Sequence, residues 1–122
     1  MTSVRTACGA VMAAALLFVG STSLSAHMKV EKSEPAPNAV VASPQPHVQV
    51  FFSEAPDLKV SKMEIKGPSA KTALTGLHVM DKSLMAMIQG DMPDGVYTVS
   101  WTAAGDDGHV QKGDFTFTVK RK

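Results

Sequence analysis

The sequence predicts an all-β protein, a small Greek-key β-sandwich or barrel of about seven strands. Three observations support this fold class. Apolar and polar residues alternate along several short segments, proline or glycine stands at the segment boundaries, and no stretch after residue 26 keeps a helical period. A chain of 122 residues has room for one such domain.

The first 26 residues predict a cleaved signal peptide and not a part of that domain. Met1–Arg5 is a short basic start, and Ala7–Val19 is an apolar run too short to span a bilayer. Ser21–Ala26 is then small and mostly polar, as a cleavage region should be. We therefore expect residues 1–26 to direct export and residues 27–122 to form the domain, with no membrane span in the mature chain.

The cleavage site has two possible positions. A cut after Ala26 makes His27 the first residue of the mature chain, although Leu24 then occupies a position where a small residue is preferred. A cut after Ser25 leaves Ala26 as the first residue. We expect the cut after Ala26, because it gives His27 a free α-amine beside its imidazole, a pair of metal donors.

The first half of the mature chain contains three predicted strands. They cover residues 28–32, 48–52 and 61–66. Proline residues flank the second strand on both sides, and the pair Gly67-Pro68 ends the third with a strong turn signal.

Four further strands are predicted in the second half. They cover residues 77–80, 84–88, 96–101 and 114–119. The first two are separated by three polar residues and predict a hairpin, whereas the last two are rich in β-branched and aromatic residues and have a polar loop, Ala103 to His109, between them. Seven strands match the count expected of an immunoglobulin-like sandwich.

Composition excludes several classes of function. Cys8 is the only cysteine and is removed with the signal peptide, so the mature chain has neither a disulfide nor a thiolate metal site. The formal net charge is +1 and aromatic residues make up 6% of the chain, which does not provide the basic, aromatic surface of a nucleic-acid-binding protein.

Four residues, at three places in the chain, are candidate metal ligands. An N-terminal His27 would offer its α-amine and its ring Nδ1, which close a six-membered chelate ring on a metal. Asp107 and His109 are two apart, so in an extended segment both side chains point the same way. Glu54 follows the second strand. Taken singly, each has an ordinary alternative: a residue that happens to follow the signal, a solvated turn, and an exposed strand end.

Four motifs occur in order along the mature chain, and an Ala-His signal junction precedes them. The motifs are Phe52-Ser53-Glu54, Gly95 to Trp101 with the pattern Gly-x-Tyr-x-Val-x-Trp, Asp107-Gly108-His109, and Gly113 to Val119 with the pattern Gly-x-Phe-x-Phe-x-Val. Together they make the chain resemble the CopC-type periplasmic copper-binding proteins of bacterial copper resistance. The resemblance covers nearly all of the mature chain and is weakest from Met63 to Asp91.

The resemblance implies a Greek-key sandwich, cupredoxin-like or immunoglobulin-like, that binds one Cu(II) ion at one end in the periplasm. The implied ligands are the amine and imidazole of His27, the imidazole of His109 and the carboxylate of Asp107. Glu54 matches a position that is a ligand or near-ligand in some family members. The implied role is a copper carrier or buffer in copper resistance or transport, with a CopD-type inner-membrane transporter as partner. Nitrogen and oxygen donors suit Cu(II) independently of the resemblance.

The chain departs from the family pattern where many members carry a methionine-rich loop that binds Cu(I). The corresponding stretch, Gly67 to Leu77, contains no methionine. His78 and Met80 follow it, but two donors do not make a strong site for a soft ion. We therefore expect a protein that binds Cu(II) only and lacks a Cu(I) site.

Two alternatives to a copper carrier remain open. An N-terminal histidine with a second histidine on copper is also the histidine brace of oxidative polysaccharide-cleaving monooxygenases. Those enzymes need a broad, flat and often aromatic substrate surface, whereas Trp101 and Tyr97 both lie within a strand pattern. We therefore expect a binding protein and not an enzyme. The other alternative is a structural sandwich without a metal function.

Overall fold

The computed structural model describes residues 28–121, which form eight β-strands and one short 3₁₀ turn. The strands are β1 (Val30–Glu34), β2 (Ala39–Val41), β3 (His47–Phe52), β4 (Lys62–Lys66), β5 (Ala73–Met80), β6 (Ser83–Gln89), β7 (Gly95–Ala104) and β8 (Val110–Val119). The turn, Leu58–Val60, lies between β3 and β4.

The strands form two four-stranded sheets. Sheet one has the order β1-β3-β6-β5 and sheet two has the order β2-β8-β7-β4. The hairpins β5–β6 and β7–β8 join neighbours within a sheet, whereas the other connections pass from one sheet to the other. Pairing is antiparallel except between β2 and β8, which run parallel. This architecture confirms the predicted all-β Greek-key sandwich.

The core lies between the two sheets and follows from the alternation of each strand. Val48, Val50 and Phe52 of β3 are buried on the inner face of sheet one. Val99 and Trp101 of β7 are buried on the inner face of sheet two. The rings of Phe52 and Trp101 meet edge to face with centroids 5.2 Å apart, a geometry that adds to the stabilisation from burial. Trp101 is thus a core residue, as its strand pattern predicts.

Several boundaries differ from those predicted. β2 was not predicted, and it makes the strand count eight. β5 begins at Ala73, four residues before the predicted start, and a register shift lies between Thr75 and His78. β3 begins at His47, one residue before the predicted start, and His47 is half-buried.

The predicted signal peptide, residues 1–26, and His27 lie outside the described residues. Between positions 28 and 121 no helix is long and apolar enough to cross a membrane.

Candidate metal centre

The β7–β8 hairpin ends in the loop that carries two of the predicted ligands. The two strands pair without a break from Gly95↔Val119 to Ala104↔Val110, so the loop between them is limited to Gly105–His109. The Gly108 N–H donates to the Gly105 carbonyl at 3.1 Å and closes the turn. Gly108 has φ +76°, in the left-handed region that favours glycine. The long, continuous hairpin therefore presents a short loop of defined shape.

Asp107 and His109 contact each other in this loop. Asp107 Oδ1 accepts the backbone N–H of His109 at 3.1 Å, and Asp107 Oδ2 lies 3.1 Å from His109 Nδ1. A carboxylate oxygen only accepts hydrogen bonds, so this contact places the proton of a neutral His109 ring on Nδ1 and the lone pair on Nε2. The side chain of His109 is 68% exposed. Asp107 therefore orients a solvent-facing imidazole in the tautomer that can bind a metal through Nε2.

Glu54 approaches the same loop from sheet one. It follows β3 by two residues and is half-buried. Its Oε1 accepts the backbone N–H of Asp106 at 3.0 Å. A methyl group built at Gly105 would overlap the same oxygen, so only glycine leaves room for it. The carboxylate of Glu54 thus anchors the loop one residue before Asp107.

Hydrogen bonds and packing hold the beginning of the described chain beside this loop. Met28 is 1% exposed, and its carbonyl accepts a hydrogen bond from Gln111 Nε2 on β8 at 2.8 Å. Lys29 and Ser53 exchange two hydrogen bonds: the Lys29 N–H donates to Ser53 Oγ at 2.9 Å, and the Ser53 N–H donates to the Lys29 carbonyl at 2.8 Å. Met28 Cβ lies 3.3 Å from the methyl group built at Gly105. Met28 therefore lies between the end of β3 and the β7–β8 loop.

The predicted ligands are placed as follows. Asp107 and His109 are in contact, and Glu54 reaches the loop through the backbone of Asp106. Among residues 28–121 there is no group of three or more histidine, cysteine, aspartate or glutamate side chains that could hold a metal. His27 lies outside that range.

Sequence reasoning missed the residues that position the site. Gly105 admits the Glu54 carboxylate, and Gln111 holds the Met28 carbonyl. Their partners are 51 or more positions away in sequence, and a single glutamine or loop glycine carries no signal of such a contact. A further hydrogen bond joins the residue before the 3₁₀ turn to the end of β7: the Asp57 N–H donates to the Ala104 carbonyl at 2.8 Å.

Comparison with known proteins gives consistent results. The CopC domain family model matches residues 30–120. "Copper resistance protein C" of Escherichia coli is 28% identical over 128 residues, covering 91% of this chain and 95% of the relative. "Protein YobA" of Escherichia coli K12 is 33% identical over 102 residues, covering 80% of this chain and 82% of the relative.

Two solved structures of similar proteins have the same fold as this chain. The crystal structure of PcoC, a methionine-rich copper resistance protein from Escherichia coli, superimposes with a TM-score of 0.67 at 30% identity, covering 78% of this chain and 100% of PcoC. The crystal structure of CopC from Methylosinus trichosporium OB3b superimposes with a TM-score of 0.68 at 21% identity, covering 78% of this chain and 95% of that protein. Because the sequence identity to the Methylosinus protein is only 21%, that similarity concerns the fold alone.

Proposed function

The chain belongs to the CopC domain family, and from that premise we propose that it is a periplasmic protein that holds one Cu(II) ion and serves copper resistance or copper transport. Its role is that of a carrier or buffer. The names of its relatives support a part in copper resistance. The CopD-type inner-membrane transporter remains the partner that the family resemblance implies.

The observation that carries this proposal is the position of Met28 against the β7–β8 loop. Met28 packs beside Gly105, and its carbonyl is held by Gln111 at the start of β8. His27 is joined to Met28 by a peptide bond, which sets their Cα atoms about 3.8 Å apart. We propose that cleavage after Ala26 makes His27 the N-terminus, and that its amine and ring Nδ1 share one copper with the loop.

The proposed ligand set combines these groups with His109 and Asp107. His109 binds through Nε2, the nitrogen that its contact with Asp107 leaves with a lone pair. In this contact Asp107 supports the ring from the side opposite Nε2; to act as a ligand of the same ion, the role that the family resemblance implies, its carboxylate would have to release Nδ1. Nitrogen and oxygen donors favour Cu(II), which leads the divalent affinity order. Glu54 either completes the set or keeps its bond to Asp106 and anchors the loop.

Burial of the aromatic residues supports binding over oxidative catalysis. Trp101 is 7% exposed and Tyr97 is 0% exposed, so neither offers a ring to a flat polysaccharide surface. An aspartate in the ligand set would also occupy a position that oxygen needs. Oxygen consumption with ascorbate and copper should therefore be negligible.

A Cu(II) competition titration of protein beginning at His27 tests the proposal. The wild-type protein should bind one equivalent. His109→Ala should weaken binding by more than about a hundredfold, because losing a ligand costs more than the 10- to 100-fold typical of losing a supporting contact. His47→Ala is the matched control, because His47 begins β3 and lies outside the loop; it should bind like the wild type. Equal affinity of the His109→Ala and wild-type proteins would contradict the proposal.

A further inference from the structure

The outer face of sheet one carries methionine and histidine side chains that are far apart in sequence. On β6, Leu84 and Ala86 are buried, so the alternate residues Met85 and Met87 point outward. Met87 is 41% exposed, so burial contributes little to keeping a large apolar side chain at this position. Its sulfur is therefore within reach of solvent and of its neighbours on this face.

Strand pairing places histidines directly opposite both methionines. His78 on β5 pairs with Met85, and His47 on β3 pairs with Met87. Residues paired in this way share one face of the sheet, with Cβ atoms about 4.5–5.5 Å apart. Met80 lies two residues after His78 on the same face and is 48% exposed. Five donors that span 41 positions of sequence, from His47 to Met87, thus form one surface patch.

Gly76, in the irregular part of β5, lies beside two of these donors. Gly76 has φ +68° and lies in the register shift between Thr75 and His78. The Gly76 carbonyl lies 2.8 Å from His78 Nδ1. A methyl group built at Gly76 would lie 3.9 Å from Met87 Cγ. The imidazole of His78 and the side chain of Met87 therefore lie next to the same residue.

The contact with Gly76 also sets the protonation of the His78 ring. A carbonyl oxygen only accepts hydrogen bonds, so Nδ1 carries the proton of the neutral ring and Nε2 carries the lone pair. A backbone carbonyl bonded to the second ring nitrogen is the usual support of a metal-binding histidine. The His78 ring is therefore held in the tautomer that can bind a metal through Nε2.

We propose that this patch binds one soft monovalent cation, Cu(I), with His78, Met85 and Met87 as ligands and with Met80 and His47 at its margin. Thioether and imidazole donors select Cu(I) over hard cations, and Ag(I) has the same preference. The sequence suggested that a Cu(I) site is absent, because two donors, His78 and Met80, are too few. Strand pairing adds Met85 and Met87 across the hairpin.

The proposed soft-cation patch does not depend on the Cu(II) site. Its ligands lie on β5 and β6 of sheet one, whereas Asp107 and His109 lie in the loop between β7 and β8 of sheet two. It also lies outside the stretch 67–77 that corresponds to the methionine-rich loop of other family members.

Competition with a chromophoric Cu(I) chelator under anaerobic conditions tests the patch in protein that begins at His27. The double variant Met85→Leu/Met87→Leu should bind Cu(I) at least about tenfold more weakly, because two soft donors are lost while the side-chain volume is kept. Met63→Leu is the matched control, since Met63 packs against the core from β4 of the other sheet, and it should leave Cu(I) affinity unchanged. Unchanged affinity in the double variant would overturn the proposal.

Two additional measurements locate the ion. With ¹³C-methyl methionine, Ag(I) should shift the methyl signals of Met85 and Met87 and leave those of Met63 and Met92 in place. His109→Ala should keep Cu(I) affinity while it loses Cu(II) affinity. Loss of both affinities in His109→Ala would assign Cu(I) to the Cu(II) site and reject the patch, whereas loss of neither would contradict only the Cu(II) proposal.

Discussion

At the scale of single residues, Asp107 and Tyr97 illustrate two uses of a polar group. Asp107 uses both carboxylate oxygens on His109, one for its backbone and one for its ring, and so orients a largely exposed side chain. Tyr97 is buried, stacks on Phe117 with ring centroids 5.4 Å apart, and donates its hydroxyl hydrogen to the Pro93 carbonyl. Such a bond from a strand tyrosine to the backbone just upstream resembles the tyrosine corner of Greek-key sandwiches.

Burial raises the pKa of Tyr97, because the buried site disfavours the charged phenolate. A group whose pKa is higher in the folded than in the unfolded chain contributes stability below its unfolded pKa, about 10 for tyrosine, and loses that contribution as pH rises through the folded value. The stability of the wild-type protein should therefore fall in alkaline solution partly through Tyr97.

Tyr97→Phe isolates this effect from the titration of lysines. At neutral pH the free energy of unfolding of the variant should be about 1–2 kcal/mol lower than that of the wild type, because the hydrogen bond to Pro93 is lost. That difference should stay constant below about pH 10 and shrink above it, since only the wild-type protein has a phenol to ionise. Urea unfolding of both proteins across this range measures it. A difference that does not change with pH would contradict the account.

At the scale of elements, the end of one strand positions the loop between two others. β3 leads to Glu54, whose carboxylate holds Asp106 at the tip of the β7–β8 hairpin. Gly105 makes this approach possible, because a side chain there would overlap Glu54 Oε1. The loop is therefore shaped by contacts between the two sheets as well as by its own turn.

Gly105→Ala should consequently destabilise the fold by about 1–3 kcal/mol and weaken Cu(II) binding, because the added methyl group displaces Glu54. The Glu54→Ala background is the matched test, since it makes room for that methyl group. There, Gly105→Ala should cost less, so that the two changes are not additive. Urea unfolding of the four proteins measures this coupling. Additive costs would show that Glu54 does not constrain the loop.

The sequence predicted the elements with clear alternation and missed those that depend on distant partners. The hairpin of β5 and β6 and the long strands β7 and β8 follow from their own residues. β2, Ala39–Val41, has three residues and no alternation, and it is a strand because β8 pairs with it from the far end of the chain. The same reasoning applies to the site. Asp107 and His109 are two apart and were predictable, whereas Glu54 and Asp106 are 52 apart.

At the scale of the whole molecule, the fold brings the beginning of the described chain to the loop between β7 and β8. Met28, the first described residue, is held by Gln111 across 83 positions of sequence, and it lies beside the loop of Asp107 and His109. A single metal ion that took ligands from both the chain start and the hairpin loop would require this proximity.

The most direct test of this account compares protein that begins at His27 with protein that retains Ala26. We predict that the His27 form binds Cu(II) more tightly and gives a different electron paramagnetic resonance spectrum, because only there do the amine and ring Nδ1 of one histidine chelate the ion. Retaining Ala26 moves the free amine one residue away, and the copper would have to recruit an amide nitrogen. Identical affinities and spectra for the two forms would show that the His27 amine is not a ligand and would contradict the account.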